Sequence, residues 1–266
     1  MDMRFEKQTF SKRLKSMLKV DFKRMFISPL FYIMVGVALV CPILILVMTT
    51  MMDGTVSTNP TTGEITVMEG FKNTWQAIAS PSDAGMGMDL TAMCNSMLVY
   101  FMVAVLVCLF VSSDFNSGYS KNLFAVRSKK SDYVISKTIV CFIAGAILMI
   151  AWVLGSVVGG AVAGLSFDTG SAGTTGVVFC IIARTLLVLM FVSTFITMSV
   201  IGKHKTWLSM ILSFSVGMIF AMAIPSIMAP LNTGVFNLIL CVIGGPLFSW
   251  GLGAISNLLL KKQDLY

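Results

Sequence analysis

Histidine is nearly missing from this chain, with one, His204, in 266 residues. A catalytic metal site needs clustered His, Cys, Asp or Glu, and a single histidine between Lys203 and Lys205 reads as a solvated basic residue. Charge is scarce too, at 12% of residues, against about 25% in a soluble domain. No GxxxxGKS or GxxxxGKT stretch occurs, so the chain carries no Walker A phosphate cradle. The six cysteines form no CxxC pair. Cys41, Cys94, Cys108, Cys141, Cys180 and Cys241 sit in or at the rim of apolar runs and read as small apolar helix residues. An intramembrane serine protease pairs its serine with a base deep in the membrane. His204, at the rim of its run, has the wrong depth to serve Ser156. No catalytic constellation remains, and the chain reads as a non-enzyme with no cofactor of its own.

What the chain has in abundance is apolar length. Hydrophobic residues make up 56% of it. Residues 30–52, 90–113, 138–167 and 206–260 contain no Asp, Glu, Lys or Arg, and between Asp168 and Lys203 the only charge is Arg184. A membrane span needs roughly 20 apolar residues. The expected fold is therefore an all-α, polytopic integral membrane protein with six transmembrane helices, at about 30–52, 91–112, 138–165, 177–201, 206–227 and 236–260. Ile224-Pro225 and Pro230-Leu231-Asn232-Thr233-Gly234 divide the longest run into two helices. Whether that stretch is a plain turn or dips back into the membrane stays open. Residues 30–52 exceed the about 7–15 residues of a cleavable signal's apolar core, which predicts a retained first helix.

The net charge of +7 does not point to nucleic acid, because the basic residues lie in short segments between apolar runs. Eight precede the first span: Arg4, Lys7, Lys12, Arg13, Lys15, Lys19, Lys23 and Arg24. Loop 53–90 has only Lys72 against Asp53, Glu64, Glu69, Asp83 and Asp89. The next loop and its edge carry Lys121, Arg127, Lys129, Lys130 and Lys137, the fourth loop Lys203 and Lys205, and the tail Lys261 and Lys262. The positive-inside rule then puts both termini in the cytoplasm and loops one, three and five outside.

Residues 10–28 repeat Phe10, Leu14, Met17, Leu18, Phe22, Met25 and Phe26 at helical spacing, with Lys12, Arg13, Lys15, Lys19, Lys23 and Arg24 between them. That is a basic amphipathic helix for the headgroup layer, ended by Pro29. It serves either as an interfacial anchor or as a lever to a cytoplasmic partner. The domain plan is this helix, residues 1–29, and one six-helix transmembrane domain, 30–266. External loop 53–90 has an expected turn at Asn59-Pro60-Thr61-Thr62-Gly63. Phe71 to Ala79 and the Gly85/Gly87 stretch suggest a loose cap, and a flexible linker is the simpler reading. Gly155, Gly159, Gly160 and Gly164 space small residues for close helix packing or dimerisation. Arg184, about eight residues inside its span and so about 12 Å along it, either snorkels to the external headgroups, the simpler reading, or faces a polar cavity. No acid lies inside any span, which argues against ion-coupled transport.

The most informative segment is the loop at 113–137. It has Asp114 at the membrane exit, then Gly118-Tyr119 and Lys121. An amphipathic piece follows with Leu123, Phe124 and Val126, then Arg127, Lys129 and Lys130, and Tyr133, Ser136 and Lys137 at re-entry. Here the chain resembles membrane subunits of ABC transporters of the type-2 exporter class. Their pattern is an acid, Gly-Tyr or Gly-Thr, Lys or Arg, a basic/serine turn, an aromatic, and Ser-Lys opening the third helix. Asp114, Gly118, Tyr119, Lys121, Tyr133, Ser136 and Lys137 match in order. The departures are Asp114 in place of the commoner Glu, and Ser131-Asp132 in place of Ser-Arg.

The resemblance implies a coupling helix that docks on a separate ATP-binding cassette subunit, with ATP and Mg held there. Leu123 and Phe124 would plug an apolar groove of that subunit, ringed by Lys121, Arg127, Lys129 and Lys130. It implies a permease dimer, of two copies or two similar chains, in contact with membrane lipid in a bacterial cell membrane. The cargo would be hydrophobic or amphipathic: a peptide, lipid or drug. Antimicrobial-peptide self-protection fits within that class, though no residue identifies it. The alternatives are a non-transporting scaffold or assembly factor and, third, an ion-coupled secondary transporter.

Overall fold

Charge-free runs in lipid must satisfy their own backbone polar groups, and a helix does so within one segment. The computed structural model describes residues 9–58, 65–67, 70–79, 90–126, 130–203 and 205–262. Among these residues the chain forms eight α-helices: α1 (Phe10–Ile27), α2 (Pro29–Met51), α3 (Leu90–Asn116), α4 (Tyr119–Val126), α5 (Lys130–Ala163), α6 (Gly173–Gly202), α7 (Thr206–Met228) and α8 (Val235–Lys262). Helices α2, α5, α6, α8 and the Met97–Asn116 part of α3 are long and apolar enough to cross a membrane. For α7 the described apolar stretch, Thr206–Phe220, is shorter. The chain is thus a membrane-embedded, polytopic helical protein.

The charged segments meet at one end of the bundle, called here the basic end. Lys130 at the start of α5 donates to the Leu260 carbonyl near the end of α8 (2.6 Å), and Asn116 at the end of α3 donates to Thr206 at the start of α7 (3.3 Å). Helix α1 follows the expected 10–28 pattern and stops at Ser28, whose backbone is extended. Pro29 then opens α2 at the position where its missing N–H costs nothing. Helix α5 begins at Lys130, eight residues before the predicted span, so the second half of the 113–137 loop is already helix.

Helix α5 packs tightly against α2 because of its glycines. A Cβ on Gly155 would lie 2.1 Å from the Leu39 carbonyl oxygen, and one on Gly159 would lie 2.7 Å from Ile43 Cα. The two backbones touch with no side chain between them. Gly160 faces elsewhere, where an added Cβ would run into the Thr74 side chain. Beside Gly164 nothing in the chain lies within 4 Å of where a Cβ would sit. Its φ of +69° ends the helix. Leu165 N–H bonds to Gly160 C=O (2.9 Å) and Gly164 N–H to Ala161 C=O (3.4 Å), a Schellman stop.

Helix α6 lies at the centre, against α3, α5, α7 and α8. Tyr100 of α3 stacks on Phe191 of α6, with centroids 4.2 Å apart. Paired hydroxyls join α6 to α8, Ser193 with Ser249 (2.9 Å) and Thr197 with Ser256 (2.8 Å). The outer helices turn large side chains outward, including Met51 and Trp250, both 77% exposed. An apolar surface of that kind suits lipid.

At the far end the segment 70–79 is a folded cap, not the linker the sequence favoured. A 3-10 turn at Thr74–Ala77 is opened by a reciprocal Asn73–Gln76 cap. Phe71, Ala77, Ile78 and Ala79 are buried. Trp152 of α5 donates to Ala77 C=O (3.2 Å), Trp75 to Phe167 C=O (3.2 Å), and Thr74 N–H to Ser166 C=O (3.0 Å). Strands β1 (Val56–Thr58) and β2 (Ile65–Val67) pair antiparallel, Val56 opposite Val67. The turn expected at Asn59–Gly63 and the Gly85/Gly87 stretch lie outside the described residues. Ile224-Pro225 does not break the long run. Helix α7 continues to Met228, and the break falls at 229–234.

Candidate functional site

Residues four apart share a helix face. On α1 that face holds Met17, Asp21 and Met25, all buried, while Lys12, Lys15, Lys19 and Lys23 are exposed. An acid on the buried row of a basic helix needs a partner, and α5 supplies it. Asp21, fully buried, accepts from Ser136 Oγ (2.6 Å) and Lys137 Nζ (2.9 Å). Lys137 is itself fully buried and reaches a second carboxylate, Asp114 Oδ2 at the end of α3, at 2.6 Å. The Tyr133 hydroxyl donates to the same oxygen (3.0 Å). Arg24 completes the set, with its NH2 2.7 Å from Asp114 Oδ1, close in distance but poorly aligned as a hydrogen bond.

Two carboxylates and two cations give a cluster of zero formal charge. Aromatic rings line it. Lys137 Nζ lies 3.9 Å from the Phe110 ring centroid, and Arg24 Cζ lies 4.2 Å from that of Tyr119. Burial works against the Arg24 charge, but Asp114 outweighs it and raises the guanidinium pKa. Burial, followed by Asp21, pushes the Tyr119 phenol up, so it stays a neutral ring beside the cations. Separating such charges is expensive: removing one partner of a buried pair costs about 3–5 kcal/mol, because the other charge is left uncompensated.

Helix α4 sits directly on this cluster. Gly118 takes a φ of +72°, a left-handed conformation natural to glycine, and turns the chain out of α3 into α4. Phe124 packs edge-on against Tyr133, centroids 5.4 Å apart. Leu123 and Phe124 are half-buried against the core and so fasten α4 to its own bundle. Among the α4 residues whose side chains are described, Lys121, Asn122 and Ala125 are exposed. Lys130 is not part of an outward ring. It lies 5.6 Å from the Phe124 ring and donates to Leu260 C=O, near the end of α8 where helix carbonyls lack partners. Arg127 and Lys129 lie outside the described residues. A further pair, Arg13 Nε to Asp132 Oδ2 at 2.9 Å, ties the start of α1 to α5.

Asp114, Gly118, Tyr119 and Lys137 therefore converge as a group. Sequence reasoning missed Asp21 and left Arg24 among generic basic residues. The available signal was position, because Asp21 is the one acid in α1 and lies midway between Met17 and Met25 on its apolar row.

Arg184 is the second buried cation, 3% exposed, at the other end of the bundle. It does not snorkel outward. Its Nε donates to the Ala229 carbonyl just past the end of α7 (3.3 Å), and the Tyr100 hydroxyl donates to the Arg184 carbonyl (3.4 Å). A cation at a helix C-terminus meets the negative end of the dipole, so Arg184 braces the α7–α8 break.

The charges tie α1, α3 and α5 together at one point, and α4 rests on them through Tyr119 against Arg24 and Phe124 against Tyr133. Compared with known proteins, the chain matches no family model, no curated protein and no solved structure.

Proposed function

We propose that the chain is the membrane subunit of an ATP-driven exporter, with ATP bound and hydrolysed by a separate cassette subunit. The reading takes six crossings with both termini and α4 in the cytoplasm of a bacterial cell. One observation carries it. A short amphipathic helix is seated on a neutral, largely buried charge cluster that holds the start of α5, the end of α3 and the amphipathic α1. Force applied to α4 from outside would reach these elements through Tyr119 on Arg24 and Phe124 on Tyr133, and the charges resist separation from one another. Helix α1 is then a lever, not an anchor alone, since Asp21 ties it to α5. The surface offered to the cassette subunit is Lys121, Asn122 and Ala125, with Leu123 and Phe124 turned inward. A second permease copy completes the path, and a hydrophobic or amphipathic cargo fits apolar helices laced with hydroxyls.

The test is purification of the tagged chain from its native membranes, followed by an ATPase assay. The expected result is a co-purified nucleotide-hydrolysing subunit, held at least about tenfold more weakly by the Ala125→Asp variant. A chain that purifies without any ATPase, in all detergents that keep it folded, overturns the reading and leaves a membrane scaffold in its place.

A further inference from the structure

Helix α7 stops inside the bundle. Its last residue is Met228, and the next carbonyl, that of Ala229, lies level with Arg184 of α6. Leu231 and Asn232 lie against Gly176, eight residues nearer the start of α6 and so about 12 Å along it. Residues 229–232 thus run beside α6 as non-helical chain, with Ala229 fully buried. Non-helical backbone at membrane depth is tolerated only within protein or along a cavity.

Arg184 stands at that step, 3% exposed. Its Nε shares the Ala229 carbonyl with the Cys180 thiol, at 3.3 and 3.4 Å. The other edge of the guanidinium is free. NH1 and NH2 bond to no described residue, and no described carboxylate pairs with them. Nor are they sealed in. Nitrogens closed to both partner and solvent do occur among the described residues, Arg24 NH1 being one, but those of Arg184 are not of that kind. A water-sized oxygen can touch them. The end of α7 supplies only about half a negative charge, so the place stays positive.

We propose that NH1 and NH2 of Arg184 seat the carboxylate of an acid with an apolar chain, a fatty acid being the simplest case. The fork of parallel N–H groups matches the two oxygens of a carboxylate. One negative charge balances one guanidinium, and a buried cation left alone is costly. A chloride ion gains nothing from the fork, and a phosphate dianion brings one charge too many. The surroundings select the body of the ligand. Val177 and Cys180 on the same row of α6, Cys241 of α8 close to Cys180, and the ring of Tyr100 are all buried and uncharged. Acetate would give up its water there for no apolar gain, whereas a hydrocarbon chain gains by leaving water.

This inference does not rest on the exporter reading, and its test needs no ATPase. The full chain, purified in a neutral detergent at about pH 8, where the acid is ionised, is titrated with decanoate isotope-labelled at the carboxyl carbon. Binding is read from the carboxyl resonance and from thermal unfolding. One saturable site is expected, with unfolding delayed by the ligand, and equal concentrations of decanol or acetate should leave the bound signal in place. Arg184→Lys keeps the charge but loses the fork, and should weaken binding at least about tenfold. Arg184→Gln should lose the saturable signal. Without ligand it should unfold no earlier than the unmodified chain, since it no longer buries a lone cation. On the unmodified chain, a decanoate with a diazirine beside its carboxyl should label the peptide holding Val177 to Phe191, so the outcome does not hinge on any variant folding. Displacement by decanol overturns the proposal, because the seat is then merely apolar. Displacement by acetate, or by chloride at constant ionic strength, overturns it too and assigns Arg184 to free anions. So does decanoate binding kept in Arg184→Gln, which puts the acid in the micelle or elsewhere on the chain.

Discussion

The two ends of this bundle are closed by opposite means. The basic end is held by full charges, Asp21, Arg24, Asp114 and Lys137, shared among α1, α3 and α5 with α4 packed above them. At the far end, Arg184 aside, the cap is held by neutral bonds. Trp152 and Trp75 donate to backbone carbonyls, Thr74 N–H bonds to Ser166, and Gly160 lets the cap lie against α5. Neutral bonds are worth about 0.5–1.5 kcal/mol each and fail one at a time. A buried charge set fails as a unit, because losing one member strands the others. The basic end is thus the all-or-none end, which suits a place where motion is transmitted. The far end is a lid assembled from small increments.

The sharpest way to break this comparison is Lys137→Met. It strands Asp21 in a fully buried site, leaves Asp114 to Arg24 and Tyr133 alone, and should cost about 3–5 kcal/mol in thermal or denaturant unfolding in detergent. Adding Asp21→Asn to it should recover part of that loss, and a double-mutant cycle reads the coupling directly. If Lys137→Met costs no more than a single neutral bond, the two ends do not differ in kind. Next in size is Gly160→Val. Its Cβ would fall 2.1 Å from Thr74 Oγ1, and overpacking of this sort costs about 1–3 kcal/mol. Limited proteolysis should then open residues 70–79 while α4 stays protected. Trp152→Phe removes the bond to Ala77 C=O and part of a fully buried ring, and should cost about 1–2 kcal/mol with no effect on the basic end. Smallest is Arg13→Gln, which breaks a pair whose arginine is 21% exposed. A loss of about 1 kcal/mol or less, shrinking further in high salt, is expected by the same unfolding assay.

Arg184 sharpens the contrast further. Lys137 and Arg184 are both buried cations, yet Lys137 pairs with two carboxylates and Arg184 meets a backbone carbonyl at a helix end. The first placement needs acids brought from distant parts of the chain. The second needs only a helix that stops at the right depth.

The sequence alone determined where the long apolar helices lie, because a charge-free run of about 20 residues satisfies its own backbone in lipid as a helix. It also marked α1 by its 3.6-residue period and the 113–137 loop by its ordered acid, Gly-Tyr and Lys. Only the tertiary structure decided which side each residue serves. Asp21 looked like one more polar residue of an amphipathic helix until α5 placed Lys137 against it, 116 positions away in the chain. Phe124 read as a plug for a partner, and the fold also sets it edge-on against Tyr133 of α5. Gly164 read as a packing glycine like Gly155 and Gly159, but it falls where the helix ends. Residues 70–79 carry weak local preference and fold because Trp152 and Ser166 receive them. Periodicity along one helix records which rows are apolar. What lies across from a row is set by other segments, through distances that no local pattern encodes.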